Sequence, residues 1–560
     1  MMNLKCGLSL VATVGLMCAT SLCAQSRELE YRWFYAAMDA GNPKSVARIT
    51  AVFPRAAAAG YNGVLWNGID GHDRSPAYAA AVRGFQKTAA AYGLEVIPAI
   101  LAYNDSSILK IDPNLAEGLP VKDALFVVHG SEALQEQDHA VAVANGSFED
   151  ATGDVFGGWQ LQDSPGVSTF VDHDVAHSGK ASARVEHLPR SEYGRARFHQ
   201  AIKVEPFRQY HITVWVKTQD YHGGAEMLLI APTEKQRNLA DMNLNVKPTQ
   251  DWTRCDLLLN SVDFSEVHLY LIAGGGGEGR LWWDDVTISE TGLLNPLRRD
   301  GTPLTVKGED GTLFEEGRDF APIRDPELAI RPTYHKPVAM RLTPGSRIKD
   351  GTRLRVSYYH PLFLDGYVVS CVGEPRVWEI LREEFEGVND LLHPRIFFMY
   401  DDEIRIANWD PSCQNRQMTP GQMLADKVRR CVKMIKEAQP DAEVWDWSDM
   451  FDPMENAVGD YYAVNGSWAG SWEGLTPDVG IINWANDLQG KNLKWFAERG
   501  HKQILAGYYD GDGYPIAKWL KAGEGLPGIV GAMYTTWLDH YNELESFAQE
   551  AWGGGAKAPK

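Results

Sequence analysis

Between residues 31 and 105 short apolar runs alternate with longer segments of helical period. The run Tyr31–Ala37 is apolar and aromatic and ends just before Asp39, as a buried strand does. Residues 45–59 read as a helix. Residues 63–66 form a second strand followed by Asn67, Asp70 and His72, residues 79–92 a second helix, and residues 94–101 a third strand followed by Tyr103 and Asn104. Strands that alternate with helices predict a parallel sheet. Polar and aromatic residues gather just past each strand, the end at which such sheets build their sites.

The pattern then changes. From about residue 145 to residue 290 the segments are short, β-rich and separated by Gly, Asp and Asn turns, which predicts a sandwich. Residues 291–370 stay β-like, with hairpin turns at 297–303 and 349–352. Helix and strand alternate again from Pro375: a helix at 377–391, then a strand at 395–400 that ends in Asp401-Asp402-Glu403. Thr419-Pro420-Gly421-Gln422 has the spacing of a capping box with proline in the first turn. Leu424, Val428, Cys431, Val432 and Ile435 give the following helix one apolar face. Further strands are expected at 442–447, 480–484, 503–509 and 528–536. The expected fold class is α/β, a (β/α)8 TIM-like barrel interrupted by an inserted all-β jelly-roll sandwich, with an open doubly wound sheet as the alternative. The expected division is a signal peptide (1–24), the first part of the barrel (25–140), the sandwich (141–290), its β-rich continuation (291–370), the second part of the barrel (371–550) and a flexible tail (551–560).

A net charge of −20 over 560 residues argues against nucleic acid as a partner. Lys5, the apolar stretch 8–18 and small residues up to Ala24 read as an export signal, so the mature chain is expected in the periplasm or outside the cell. No later segment approaches a membrane span. Cys255, Cys371, Cys413 and Cys431 remain after cleavage, without the C-x-x-C spacing of a zinc site. The 18 Trp and 22 Tyr are generous counts, and such flat faces stack on sugar rings as readily as they fill cores.

Chemistry concentrates at Asp401-Asp402-Glu403. Three adjacent carboxylates at the end of a buried strand repel one another, which raises at least one pKa and keeps a proton donor available. Glycosidic cleavage needs such a donor at the leaving oxygen. The Asp-Glu pair resembles the family 20 glycoside hydrolases, the β-N-acetylhexosaminidases, and their substrate-assisted relatives. The resemblance implies that Glu403 is the general acid/base and that Asp402 orients an acetamido group, whose oxygen is the nucleophile. It also implies a Tyr beside that oxygen, Tyr508 or Tyr509, and a Trp-walled pocket for which Trp447, Trp484 and Trp537 are placed. The chain departs from the family's H-x-G-G-D-E, having Phe398-Met399-Tyr400-Asp401-Asp402-Glu403. Asp401, Asp449 and Asp539 are further candidates for contact with substrate, and Asn465, Trp468, Trp472 and Glu473 for an outer subsite. Asp449 as a second catalytic carboxylate is one alternative, and a catalytically silent glycan-binding protein is another.

In the predicted sandwich, Asn145-Gly146-Ser147-Phe148-Glu149 and Trp282-Trp283-Asp284-Asp285-Val286 resemble the two ends of jelly-roll carbohydrate-binding modules. That resemblance implies a structural calcium held by Glu149 and Asp285. No cofactor is expected for catalysis, and the expected partner is an oligosaccharide or polysaccharide.

Overall fold

The computed structural model describes residues 29–104, 106–163, 165–188, 195–234, 237–275, 278–329, 334–484, 489–511 and 514–554. The stretch read as an export signal lies outside the described residues. Of the expected tail, residues 551 and 552 instead close the helix Leu544–Trp552.

Eight strands form one all-parallel sheet. Its spatial order is Ile396–Phe398, Glu443–Trp447, Val479–Asn483, Gln503–Tyr508, Ile529–Thr535, Tyr31–Ala37, Gly63–Asn67, Glu95–Pro98. The two edges approach each other: Ala99 bridges Phe398, and Ile100 N donates to Phe398 O at 2.9 Å.

A strand turns alternate side chains to opposite faces. Here one face is strongly aromatic. Tyr31, Trp33 and Tyr35 from one strand meet Trp445 and Trp447 from another, with Phe398, Ile482, Ile504 and Met533 between them. Tyr31, Trp33 and Trp445 pack edge to face at centroid distances of 5.1 to 5.7 Å, the arrangement aromatic quadrupoles favour. Room for these rings comes from glycine, since a Cβ on Gly63 would run into Trp33 and one on Gly480 into Trp445. The other face packs against helices, among them Pro76–Ala91, Pro375–Leu392 and Pro420–Ala438. The capping box at Thr419 is formed as expected, with Gln422 closing it. The single helix expected at 45–59 is two, Pro43–Thr50 and Phe53–Ala59. Pro54 lacks an amide hydrogen and suits a first turn, so a new helix begins there.

The expectation of an interrupted (β/α)8 barrel is corrected. The parallel sheet is nearly closed, but a single bridge joins its edges. The crossover from Glu443–Trp447 to Val479–Asn483 carries the short 3-10 turns Asp449–Phe451 and Ser471–Gly474 in place of an α-helix. Most of the chain's regular structure is β, and much of it is antiparallel. Two five-stranded antiparallel sheets form the expected sandwich. One contains Gln209–Gln219 and Arg280–Thr291, the other Arg195–Lys203 and Glu266–Gly274. A six-stranded antiparallel sheet joins Leu119–His129 and Glu132–Gln135, from before the sandwich, to Arg353–His360 and others after it. Antiparallel structure therefore begins at Leu119, earlier than the boundary at residue 141 expected from sequence.

Gly480→Ala should cost about 1–3 kcal/mol, the usual range for overpacking a filled interior. Urea unfolding monitored by tryptophan fluorescence checks this, and an unchanged midpoint would mean that Trp445 has room to move.

Candidate active site at the carboxyl ends of the parallel strands

The aromatic interior opens into a cavity of about 370 Å³ lined by Tyr367, Tyr400, Asp402, Glu403, Trp447, Trp484, Tyr508, Thr535 and Trp537. Most of these residues continue the inward positions of the strands in steps of two. Tyr400 follows Phe398, Trp484 follows Ile482, and Thr535 follows Met533. The cavity thus lies where parallel sheets commonly hold ligands, outside the carboxyl ends of their strands.

Alternation also separates the three neighbouring carboxylates. Asp401 points away from the cavity. Its two oxygens each lie 2.7 Å from Nζ of Lys427, on the helix Pro420–Ala438, and both side chains are fully buried. Burial works against the ammonium, but Asp401 beside it pushes the Lys427 pKa up to about 12. Tyr103 N donates a further bond of 2.8 Å to Asp401, and Asp401 N donates to Asp446 at 2.9 Å. Asp401, expected from sequence among the substrate contacts, is instead paired with Lys427 outside the cavity lining and supports the site from beneath.

Asp402 faces the cavity. It is 5% exposed, and its Oδ1 has no hydrogen-bond partner among the described residues. Burial, then the nearby Asp449 and Glu403, push its pKa well above the carboxylate range. Glu403 takes up a left-handed backbone (φ 42°), and its N–H donates to Asp449 Oδ2 at 2.9 Å. Its side chain is 30% exposed and lies 2.9 Å from Nη2 of Arg405. Burial raises the Glu403 pKa, Arg405 pulls it back, and the net direction is up.

Arg405 was not found from sequence. It lies between the rings of Tyr367 and Tyr462, at 4.6 and 5.1 Å, and pairs with Asp365 at 2.8 Å. Such an arginine is held by planar stacking as well as by charge. Asp365 N in turn donates to Asp241 of the sandwich at 2.8 Å, so the sandwich supports this corner of the site. Arg237, also from the sandwich, donates to the carbonyls of Tyr462 and Val464 at 2.7 and 3.0 Å.

Of the other expected residues, Trp447, Trp484, Tyr508 and Trp537 line the cavity. Tyr509 does not; its hydroxyl accepts from Ile516 N and its ring stacks on Tyr534. Asp449 is fully buried behind the wall, where it accepts from Glu403 N, Asn456 Nδ2 and Trp484 Nε1. It orients the wall and does not face the cavity, so neither substrate contact nor the role of second catalytic carboxylate fits its position. Asp539 is ion-paired with Arg48 and is absent from the cavity lining. Trp468 is fully buried, and the Trp472 indole donates to Glu473 at 2.9 Å. Glu455 escaped sequence reading; burial and Asp449 push its pKa up to about 9.

In the sandwich, Glu149 and Asp285 approach the same turn from two sides. Glu149 Oε1 accepts from Lys180 N and Ala181 N. The two oxygens of Asp285 are taken by His177 and Ser178. Calcium takes six to eight oxygen ligands; of the two carboxylates expected to hold it, Glu149 Oε1 and both oxygens of Asp285 are engaged by protein donors.

No family model matches the chain, and no curated protein matches it. Similar solved structures include a family 16 carbohydrate-binding module, 16% identical over 26% of this chain and 99% of that one, with a TM-score of 0.22. A CBM22-1 xylan-binding domain from Paenibacillus barcinonensis is 16% identical over 28% of this chain and 97% of its own, with a TM-score of 0.22. A family 11 carbohydrate-binding module from Clostridium thermocellum, solved with a β-1,3-1,4-mixed-linked tetrasaccharide, is 10% identical over 28% of this chain and 98% of its own, with a TM-score of 0.21. Each of the three spans little more than a quarter of this chain. Among the described residues no helix is long and apolar enough to cross a membrane.

Lys427→Met should destabilise the fold by about 3–5 kcal/mol, the cost of leaving one buried charge unpaired. Lys427→Met combined with Asp401→Asn should recover much of that loss in the same denaturant titration. Asp402→Asn should raise stability at neutral pH. A carboxyl whose folded pKa is raised binds its proton more tightly folded than unfolded, so it costs stability as pH rises through its unfolded value, about 3.9. The gain in melting temperature over wild type should therefore grow from about pH 4 towards neutrality and vanish below it. A gain that is constant with pH would show that Asp402 does not titrate abnormally.

Proposed function

We propose that the chain hydrolyses glycosidic bonds at this cavity, with glycans bound against Trp447, Trp484 and Trp537. In this reading Glu403 donates a proton to the leaving oxygen and then takes one from water. Asp402 accepts the N–H of a substrate acetamido group, whose carbonyl oxygen attacks the anomeric carbon, with Tyr508 at hand to hold that oxygen. The substrate class is then β-N-acetylhexosaminides.

The observation that carries this reading is the pairing of a deep and a shallow carboxyl in one aromatic-walled cavity. Asp402 lines the cavity and its buried Oδ1 has no hydrogen-bond partner among the described residues, so the carboxyl keeps acceptor capacity that a rotation of the side chain would turn to an N–H of a bound ligand. Glu403 is more exposed and its pKa is raised, which suits proton transfer to a leaving group. Trp484 and Trp537 on the wall are side chains of the kind that stack on the axial C–H groups of a pyranose.

The contact between Arg405 and Glu403 favours a second reading. Arg405 at 2.9 Å offsets part of the rise in the Glu403 pKa, while the Asp402 pKa is raised well above the carboxylate range, which favours Asp402 as the group that carries the proton. The donor is then Asp402, and Glu403 is the nucleophile or base of a two-carboxylate mechanism.

A panel of aryl glycosides separates these readings. The first predicts cleavage of N-acetylhexosaminides only. Glu403→Gln should lower kcat by about 10²–10⁴-fold on substrates with poor leaving groups and much less on good ones. Asp402→Asn should lower it on both, and a thiazoline should inhibit. Cleavage of sugars that lack an acetamido group would favour the second reading. Failure to cleave any member of the panel, together with retention on a glycan array, would leave only glycan binding.

A further inference from the structure

Where the antiparallel insertion leaves and rejoins the parallel sheet, four side chains converge: Glu117, Cys371, Asp410 and Cys413. The two crossing segments lie side by side. Ala116 bridges Ser370, Glu117 N donates to Val369 O at 2.7 Å, and Cys371 N donates to Leu115 O at 2.8 Å. Asp410 and Cys413 come from the loop and short turn of helix that follow Glu403 and Arg405. None of the four side chains belongs to the cavity described above. Cys371, Asp410 and Cys413 are fully buried and Glu117 is 3% exposed.

One oxygen of each carboxylate faces the sulfurs. Glu117 Oε2 lies 3.1 Å from Cys413 Sγ, and Asp410 Oδ1 lies 3.3 Å from Cys371 Sγ and accepts from Cys413 N at 3.2 Å. The other oxygens are fixed from behind. Glu117 Oε1 accepts from Trp409 N and Asp410 N at 2.6 and 3.2 Å. Asp410 Oδ2 accepts from Gly118 N at 3.1 Å and from Arg299 Nη2 at 2.6 Å. The sulfurs are 3.1 Å apart and both thiols are free. All four candidate ligand atoms lie within 4.8 Å of one another.

We propose that these four side chains bind one divalent cation of the zinc class. Thiols are weak hydrogen-bond donors and offset poorly the cost of burying two carboxylates. Among the described residues Glu117 has no ion-pair partner, and Arg299 is shared between Asp410 and Glu374. Two sulfurs and two oxygens form a mixed donor set that suits zinc and does not suit calcium or magnesium. With zinc–sulfur bonds of about 2.3 Å and zinc–oxygen bonds of about 2.0–2.2 Å, a tetrahedron has edges of roughly 3.3–3.8 Å, so the four atoms need only small adjustments. Backbone amides and Arg299 already orient the ligands, as outer-shell groups do. Binding is balanced: two S–H bonds break, two metal–sulfur bonds form and both thiol protons leave, with a third proton leaving Glu117 wherever burial keeps that carboxyl neutral in the metal-free protein. No oxidant is needed. The ion would fasten both crossing points of the insertion to the loop that follows Glu403, whether or not that loop serves a hydrolase.

Elemental analysis of the full-length protein, purified under reducing conditions and dialysed, should find about one zinc per chain. Cys371→Ser with Cys413→Ser should lose it, while Cys255→Ser and Cys431→Ser should keep it. Because the double variant can also fail to fold, the wild-type protein gives a second readout. After removal of zinc by a chelator, cobalt(II) should produce a thiolate-to-metal charge-transfer band in the near ultraviolet and the intense visible bands of a tetrahedral site, with release of at least two protons per ion at a pH where the free thiols are protonated. Absence of both stoichiometric metal and cobalt bands would overturn the proposal. A peptide joining Cys371 to Cys413 by a disulfide in a non-reducing digest of freshly purified, metal-free protein would overturn it in favour of a covalent clasp.

Discussion

The buried ion pair between Lys427 and Asp401 holds the end of the strand from which both cavity carboxyls project. Because successive residues of an extended chain face opposite ways, anchoring Asp401 outward turns Asp402 inward. Asp446, from the neighbouring strand, takes the Asp401 amide, so the anchor also joins two strands of the sheet. The chain then bends at Glu403 into a left-handed conformation, which a residue with a Cβ adopts at a cost. Asp449 holds that bend by accepting the Glu403 amide. Two carboxylates that never meet the cavity thus determine how two others enter it.

The insertion completes the site. Arg405 is held between two tyrosines, and the residues that position it lead back to the sandwich through Asp365 and Asp241. Arg237 supports the neighbouring segment that contains Tyr462. Through these contacts the antiparallel module, inserted between the third strand and the strand before Glu403, packs on the site. The module braces the loop on which the acid-rich end of that strand depends. Loops at the carboxyl ends of strands are mobile unless something packs on them, and here the insertion supplies that packing.

The strands of the parallel sheet were legible because each is a short aromatic or apolar run ending in a polar cluster. The capping box at Thr419 was legible because its chemistry is local. The limits were also physical. Pro54 splits a segment of continuous helical period. The hairpin beginning at Leu119 shares the apolar character of the sheet before it, and only its pairing with Arg353–His360 reveals it as part of the insertion. The separation of Asp401 from Asp402 follows from the two-residue alternation through Phe397, Met399 and Asp401 on one face and Phe398, Tyr400 and Asp402 on the other, a rule that applies to the sequence alone. Tyr367 and Arg405 could not be found that way, since their roles come from partners remote along the chain. Asp449 carried a signal, a carboxylate at a strand end, but its oxygens are taken by Glu403 N, Asn456 and Trp484 behind the cavity wall, and no pattern in the sequence shows that.

The acidic neighbourhood has a cost that bears on its purpose. Asp402, Glu403, Asp449 and Glu455 all have pKa values raised by burial, and Arg405 beside Glu403 offsets only part of the crowding. A folded protein has only a small margin of stability, and buried carboxyls that hold protons consume some of it as pH rises. Apolar residues at the same positions would pack the strand ends without that loss. A structural account covers Asp401, whose charge is fully paired, and Asp449, whose oxygens are filled by protein donors. It does not cover Asp402, which lines the cavity and has a buried oxygen without a partner among the described residues. Buried polar atoms without partners are uncommon enough in folded proteins to call for a specific cause, and under the proposed function a ligand that brings its own hydrogen-bond donor would supply one.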